Sequence, residues 1–266
     1  MKKTFVIAEI GINHGGNLKV AKKLIDSAAR ANVDAVKFQT YITEKRVKKN
    51  SPIFDILKKC ELSFEEFRVL KNYSQKKNVE FMSTPFDIES FNFLKILKVS
   101  KIKIASFDTV NTKFLKEISK KKSNFIMSVG MSKLKEIEKA YKILSNGSKN
   151  KVNLLHCVSS YPTKEKDAQL NCINLLKNKF KCTIGHSDHT NDIFVPLCAV
   201  IMGARIIEKH FMIDANMKCV DKPVSITEKQ MSKLILDIRR FETSLGKDFF
   251  GLRKNEKPFQ MFRRFS

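Results

Sequence analysis

Apolar and polar positions along this chain alternate between two periods. Short apolar, β-branched runs at 5–10, 34–39, 79–82, 101–104, 124–127, 152–156, 182–185 and 205–208 read as eight buried strands. Between them the period lengthens to that of a helix. Residues 18–31 place Leu18, Ala21, Leu24, Ile25 and Ala28 on one face, and a second helix at 64–77 is opened by Ser63 as its cap. Further helices are predicted at about 88–97, 112–120, 134–144 (closed by Asn146-Gly147) and 228–243. Strands that alternate with helices imply parallel pairing through right-handed crossovers. Eight such units within 266 residues predict a closed (β/α)₈ TIM barrel rather than an open doubly wound sheet. The barrel should occupy residues 1–245. The basic, aromatic stretch 246–266 has no clear period and is expected to lie outside it.

Composition narrows the picture only a little. An apolar fraction of 42% is ample for one large core. The formal net charge of +24 raises nucleic acid as a partner, but the lysines are spread along the whole chain. The tightest run, Lys120-Lys121-Lys122, falls where a helix should end and meets its dipole favourably. A basic, solvated surface is the reading, with no nucleic-acid role; such a field still draws in anionic substrates. No apolar run approaches the length that crosses a bilayer, and the N-terminus leads into a strand rather than a signal-peptide core. Six cysteines without a CxxC pair are expected to be reduced thiols in the cytoplasm.

The polar residues carry the chemistry. Nearly every predicted strand ends in a polar cluster: Glu9 and Asn13-His14, Lys37 and Gln39, Ser83-Thr84, Lys103 and Ser106, Ser128, His156, Ser187 and His189, Glu208 and His210. In a barrel those carboxyl ends converge on one rim, where such enzymes hold their active sites. A lysine inside a buried strand is costly unless an anion meets it. A shared anionic ligand therefore accounts for Lys37 and Lys103; the alternative is that they reach the rim or pair with Glu9, Asp108 or Glu208. His189 and His210 end neighbouring strands and suit one divalent metal with positions left for water and substrate. Glu208, two residues before His210, shares its strand face and is placed to orient that metal or its water. His14, His156 and His186 are taken as rim or packing residues. Thr84, Ser106, Ser128 and Ser187 are individually ordinary helix caps, but together they offer donors to a phosphate group.

Several blocks then resemble one known family. Ala8-Glu9-Ile10-Gly11-Ile12-Asn13-His14-Gly15-Gly16, Val36-Lys37-Phe38-Gln39-Thr40, Ser83-Thr84-Pro85-Phe86-Asp87 and Lys103-Ile104-Ala105-Ser106-Phe107-Asp108 resemble the N-acetylneuraminate (sialic acid) synthases, which include the legionaminic and pseudaminic acid synthases. Ser128-Val129-Gly130-Met131, Leu155-His156-Cys157, Tyr161-Pro162-Thr163, Ser187-Asp188-His189-Thr190 and Ile207-Glu208-Lys209-His210-Phe211 continue the match in family order, from residue 5 to about 245.

The resemblance implies a transferase that condenses phosphoenolpyruvate with an open-chain N-acetylated amino sugar. It implies a divalent cation, manganese or else magnesium, on His189 and His210. It places Lys37, Thr84, Lys103, Ser106, Ser128 and Ser187 on phosphoenolpyruvate, and Glu9, Gln39, Asp108, Tyr161, Glu208 and Asp221 toward the sugar or the metal-bound water. Glu9, Lys37, Lys103 and Glu208 become the expected catalytic set. The chain departs from the pattern at Val129 and Val158 (commonly threonine), at His186, at Asp108 (often glutamate), and at 214–224, which lacks a Gly-Pro-Asp signature. The family's C-terminal antifreeze-like domain has no counterpart before Ser266, so a homodimer or a separate chain is expected to complete the sugar site. The alternatives are a ligand-binding partner subunit without turnover, or a related phosphoenolpyruvate-aldehyde synthase with another acceptor.

Overall fold

Eight parallel strands close on one another in sequence order in the computed structural model, which describes residues 3–147, 150–246 and 250–264. They are β1 (Phe5–Gly11), β2 (Ala35–Thr40), β3 (Glu80–Pro85), β4 (Lys101–Ile104), β5 (Asn124–Ser128), β6 (Lys151–Cys157), β7 (Ile184–Asp188) and β8 (Ile206–His210). The intervening helices are α1 (Leu18–Arg30), the short α2 (Thr43–Arg46) and α3 (Phe54–Cys60), then α4 (Phe64–Lys76), α5 (Ile88–Ile96), α6 (Thr112–Ser119), α7 (Leu134–Ser145), α8 (Asn171–Lys179), α9 (Phe194–Ile201) and α10 (Glu228–Ser244). This is the (β/α)₈ barrel the periodicity predicts. Ser63 caps α4 as expected, in a reciprocal pair with Glu66.

Four helices escape the pattern for identifiable reasons. α2 is a single turn and α3 barely two, too short to establish a period. α8 is short and Asn-rich. α9 is apolar almost all round and carries Pro196 in its first turn, where proline is tolerated. β7 and β8 also run further than expected, to Asp188 and His210, because their polar ends remain strand. Residues 250–264 are exposed and include a 3₁₀ segment, Lys257–Phe262. Among the described residues no helix is long and apolar enough to cross a membrane.

Strand alternation divides the interior in two. Outward residues such as Val6, Val36, Phe38, Ile102, Phe125 and Leu154 pack beneath the helices in one continuous core. Inward, Ile7, Ala35, Met82, Ile126, Leu155 and Ile206 form an apolar layer that fills the barrel. Gly185 makes room in that layer. A Cβ there would lie 2.3 Å from the Ile206 carbonyl oxygen and 2.5 Å from Leu155 Cδ2.

A buried polar network joins β7 and β8 on the outward side. Lys209 is fully buried, and its Nζ lies 2.6 Å from Asp188 Oδ2. It also donates to the Thr190 carbonyl, while Thr190 Oγ1 donates to Asp188 Oδ2 at 2.7 Å. His186 links Asp188 Oδ1 (Nε2, 3.3 Å) to the His156 carbonyl (Nδ1, 3.1 Å), and His156 Nε2 donates to the Ala168 carbonyl at 2.7 Å. His14 is buried beside Phe38, its Nδ1 accepting from the Gly16 N–H. His14, His156 and His186 thus serve packing and internal bonding.

Two outcomes follow. Lys209→Met strands the Asp188 carboxylate and should lower the unfolding free energy by about 3–5 kcal/mol in denaturant titration, whereas the exposed Lys229→Met should stay within about 0.5 kcal/mol. Burial pulls both His14 and His156 down to about 4, so below pH 6.5 the unfolded chain takes protons that the folded chain refuses. The stability these two histidines contribute is therefore complete above about 6.5 and is lost toward pH 4, each adding a slope of about 1.4 kcal/mol per pH unit. Thermal unfolding across that range checks this, and His156→Gln should give a shallower fall.

Candidate active site

The layer above the apolar plug is charged. The same alternation that turns Ile7 inward turns Glu9 inward, and the strand register sets Glu9 opposite Lys37 on one side and His210 on the other. Lys37 Nζ lies 2.7 Å from Glu9 Oε2 and 3.7 Å from Glu208 Oε1. Lys103 Nζ is 3.6 Å from that same Glu208 oxygen. The four side chains form a buried quartet with two charges of each sign. The pairing alternative thus describes the ligand-free lysines, with Glu9 and Glu208 as partners and Asp108 outside the set.

Environment drives the two carboxylates apart. Burial raises the Glu9 pKa despite Lys37, with Glu208 adding to the rise. Burial acts the same way on Glu208, but Lys103 and Lys37 outweigh it and hold the group below the usual carboxylate range. Lys37 is raised because Glu208 and Glu9 overcome its burial, while Lys103 is lowered by burial, which Glu208 only partly offsets.

Hydroxyls ring the quartet. Thr84 Oγ1 accepts from Lys37 Nζ at 3.1 Å and Ser128 Oγ from Lys103 Nζ at 2.7 Å, so each hydroxyl keeps its own proton to give. Ser187 Oγ donates to Glu208 Oε1 at 3.1 Å, and Ser106 Oγ accepts from the Gly130 N–H at 3.0 Å. Gly11 holds a left-handed backbone, φ +54°, at the bulge that ends β1, and a Cβ there would press on Glu9, Asp221 and Gln39 at 3.1–3.3 Å. Its bareness keeps three polar side chains together.

His189 and His210 face one another above the quartet, ring centroids 5.4 Å apart, with Tyr161 against both at 4.1 and 6.0 Å. His189 Nδ1 lies 2.8 Å from the Val158 carbonyl oxygen, which assigns its proton there and leaves Nε2 as a lone-pair donor. Burial and His210 push its pKa down to about 3. His210 Nδ1 stands 3.2 Å from Asp221 Oδ2, an ion-pair distance, but it is not aligned as a hydrogen bond and remains a buried atom without a hydrogen-bond partner. Asn13 fixes the Asp221 loop, accepting from the Asp221 N–H at 2.9 Å and donating to Phe211 O and Ser225 Oγ at 3.0 Å. Among the described residues no group of three or more His, Cys, Asp or Glu side chains is gathered as a metal cage. Although burial works against its charge, Asp221 and Glu9 raise the His210 pKa above the usual imidazole range. The donor set that does fit a divalent cation is this imidazole pair, which binds a metal through neutral rings, so a cation would displace the His210 proton; Asp221 lies beside one ring and the other coordination positions are left to water or substrate.

These groups line one cavity of about 390 Å³. Of the residues expected from sequence, Glu9, Lys37, Gln39, Thr84, Lys103, Ser106, Ser128, Tyr161, Ser187, His189, Glu208, His210 and Asp221 all reach its wall. Asp108 does not: the 3₁₀ turn Ser106–Asp108 presents Phe107 to the cavity and sets Asp108 aside, one carboxylate oxygen accepting from Asn111 and the other buried without a partner. Arg46, Ile12, Ile53, Phe86 and Cys157 also line the wall without having been expected. Arg46 closes the short α2 in the segment that follows β2, and the rule that βα segments build the site is the signal that marks it.

Comparison with known proteins accords with this geometry. The sequence model of the NeuB family matches residues 24–249. An N,N'-diacetyllegionaminic acid synthase of Campylobacter jejuni is 37% identical over 98% of this chain and 82% of its own length. A pseudaminic acid synthase of the same species is 30% identical over 99% and 81%. Among solved structures, the N-acetylneuraminic acid synthetase of Leptospira borgpetersenii, determined with citrate, superposes with a TM-score of 0.93 at 40% identity, covering 98% of this chain and 92% of that one. Shared barrel, ordered motifs and near-complete coverage lead to one conclusion: the chain belongs to the NeuB family.

Proposed function

We propose that this chain condenses phosphoenolpyruvate with the open-chain aldehyde of an N-acetylated amino sugar, giving a 2-keto sugar acid and inorganic phosphate. The observation that carries the reading is the buried quartet of Glu9, Lys37, Lys103 and Glu208, ringed by four hydroxyls and overlooked by two imidazoles. The chain's identity to a legionaminic acid synthase (37%) and to an N-acetylneuraminic acid synthetase (40%) makes a 2,4-diacetamido sugar and N-acetylmannosamine the two acceptors to try first.

In the reaction, the methylene carbon of phosphoenolpyruvate forms the new bond to the aldehyde carbon. The aldehyde oxygen takes up a proton and becomes a hydroxyl, positive charge develops on the adjacent carbon, water adds there with loss of a proton, and the resulting hydroxyl gives up its remaining proton as the C–O bond to phosphate breaks, leaving the 2-keto group and phosphate. Lys37 and Lys103 hold the carboxylate and phosphate as negative charge redistributes, in a site where water cannot screen the interaction. The protons of Thr84 and Ser128 supplement them, since both hydroxyls already accept from the lysines. Glu208, shared by both lysines and Ser187, stays a fixed anion that keeps the ammonium groups in place. Glu9 borders both the quartet and the sugar-side residues Gln39 and Asp221, which suits it to steer the water and take its proton. A divalent cation on His189 and His210, manganese or magnesium, would supply Lewis acidity toward the aldehyde oxygen.

The reading is tested by incubating the protein with phosphoenolpyruvate, manganese and a panel of aldehyde amino sugars, following phosphate release and 2-keto acid together. Binding of metal and phosphoenolpyruvate without turnover on any acceptor would refute it. Activity should vanish in EDTA and return with manganese, and borohydride should trap no adduct, since no lysine Schiff base forms. His189→Ala and His210→Ala should each lower turnover on the order of a hundredfold or more while retaining the far-ultraviolet spectrum of the barrel.

A further inference from the structure

Arg46 stands apart from the other cations of the cavity. Lys37 and Lys103 are matched by glutamates, whereas Arg46 has no carboxylate within ion-pair distance among the described residues. It is nevertheless held firmly. Its guanidinium carbon lies 3.7 Å from the centroid of the Phe86 ring and 4.6 Å from that of Tyr41, and Nη1 donates to Gln39 Oε1 at 3.0 Å. Gln39 in turn donates to Glu9 at 3.3 Å, so Arg46 is tied to the reacting end of the site through one side chain. Two aromatic rings and the Gln39 bond hold the guanidinium in place and one of its five N–H groups is used, which leaves donors of the fork on a group that lines the cavity.

The surroundings decide what that fork takes. Asp108, Asp221 and Glu9 all act on the Arg46 charge, so a phosphate or carboxylate on the acceptor would enter a field already set against it. A neutral carbonyl oxygen is not repelled and accepts from a guanidinium well. Ile12 and Ile53 line the same cavity and offer apolar contact to a small alkyl group. A carbonyl oxygen beside a methyl describes an acylamino substituent.

We propose that Arg46 determines acceptor specificity by donating to the carbonyl oxygen of an N-acyl group on the sugar, whose methyl packs against Ile12 and Ile53. This inference rests on the synthase reading above and names the part of the acceptor that the barrel itself recognises.

The test compares wild type with Arg46→Met, which keeps the stacked hydrocarbon but removes every donor, and with Arg46→Lys, which keeps the charge but loses the planar fork. Each is assayed with the best N-acylated acceptor and with the analogue in which hydroxyl replaces the acylamino group. For the acylated sugar, Arg46→Met should raise the acceptor KM on the order of 10- to 100-fold, with the KM for phosphoenolpyruvate within about twofold of wild type and kcat within a few-fold. Arg46→Lys should recover only part of that loss. With the hydroxyl analogue, wild type and variants should agree within about threefold. An unchanged acceptor KM, an equal loss on both acceptors, or a parallel rise in the KM for phosphoenolpyruvate would each overturn the assignment while leaving the synthase reading intact. A wild-type protein that turns over no amino sugar removes both.

Discussion

Placing two ammonium groups and two carboxylates inside a closed barrel is the constraint on which the rest of this structure depends. Each charge alone would cost several kcal/mol to take out of water, and together they are tolerable only because each ammonium lies near carboxylate of opposite sign. That requirement fixes strand register, since Glu9 must stand opposite Lys37 and Ser187 opposite Glu208. It also leaves two lysine side chains fixed on the wall of the cavity, each held by a hydroxyl as well as by carboxylate.

β7 and β8 meet this constraint by working on both faces. Along β8, Glu208 and His210 turn inward while the intervening Lys209 turns outward; next to it, Ser187 turns inward and Asp188 outward. The inward set belongs to the cavity. The outward pair, with Thr190, His186 and His156, locks the two strands and the loop that carries His189 behind it. Alternation therefore lets a single short segment supply both the working groups and their anchorage, which accounts for so many polar residues at the ends of strands that are buried on both sides.

Much of this was legible in the sequence because barrel strands are buried on both faces and polar exceptions in them are conspicuous. Lys37 and Lys103 stood out for that reason, and so did histidines confined to strand ends. The direction of a charge's partner was not legible: the quartet needs distances between strands far apart in sequence, so the sequence favours a shared anionic ligand, with Glu9, Asp108 or Glu208 as the alternative partners, whereas the ligand-free lysines lie against Glu9 and Glu208. α9 lacked a period because it is apolar around its circumference, and α2 was too short to have one. Arg46 was hidden inside a lysine-rich stretch that resembles ordinary solvated surface, and only folding brings it onto Tyr41 and Phe86. Asp108 lies off the cavity wall, since a motif places a residue in order along the chain but not on a particular side of a 3₁₀ turn.

The plug formed by Ile7, Ala35, Met82, Ile126, Leu155 and Ile206 has a consequence for traffic. It fills the barrel beneath the charged residues, so the well has an apolar floor and no path through the strand cylinder at that level. Depth in the well thus becomes a coordinate along which neighbouring ligands are arranged one above the other.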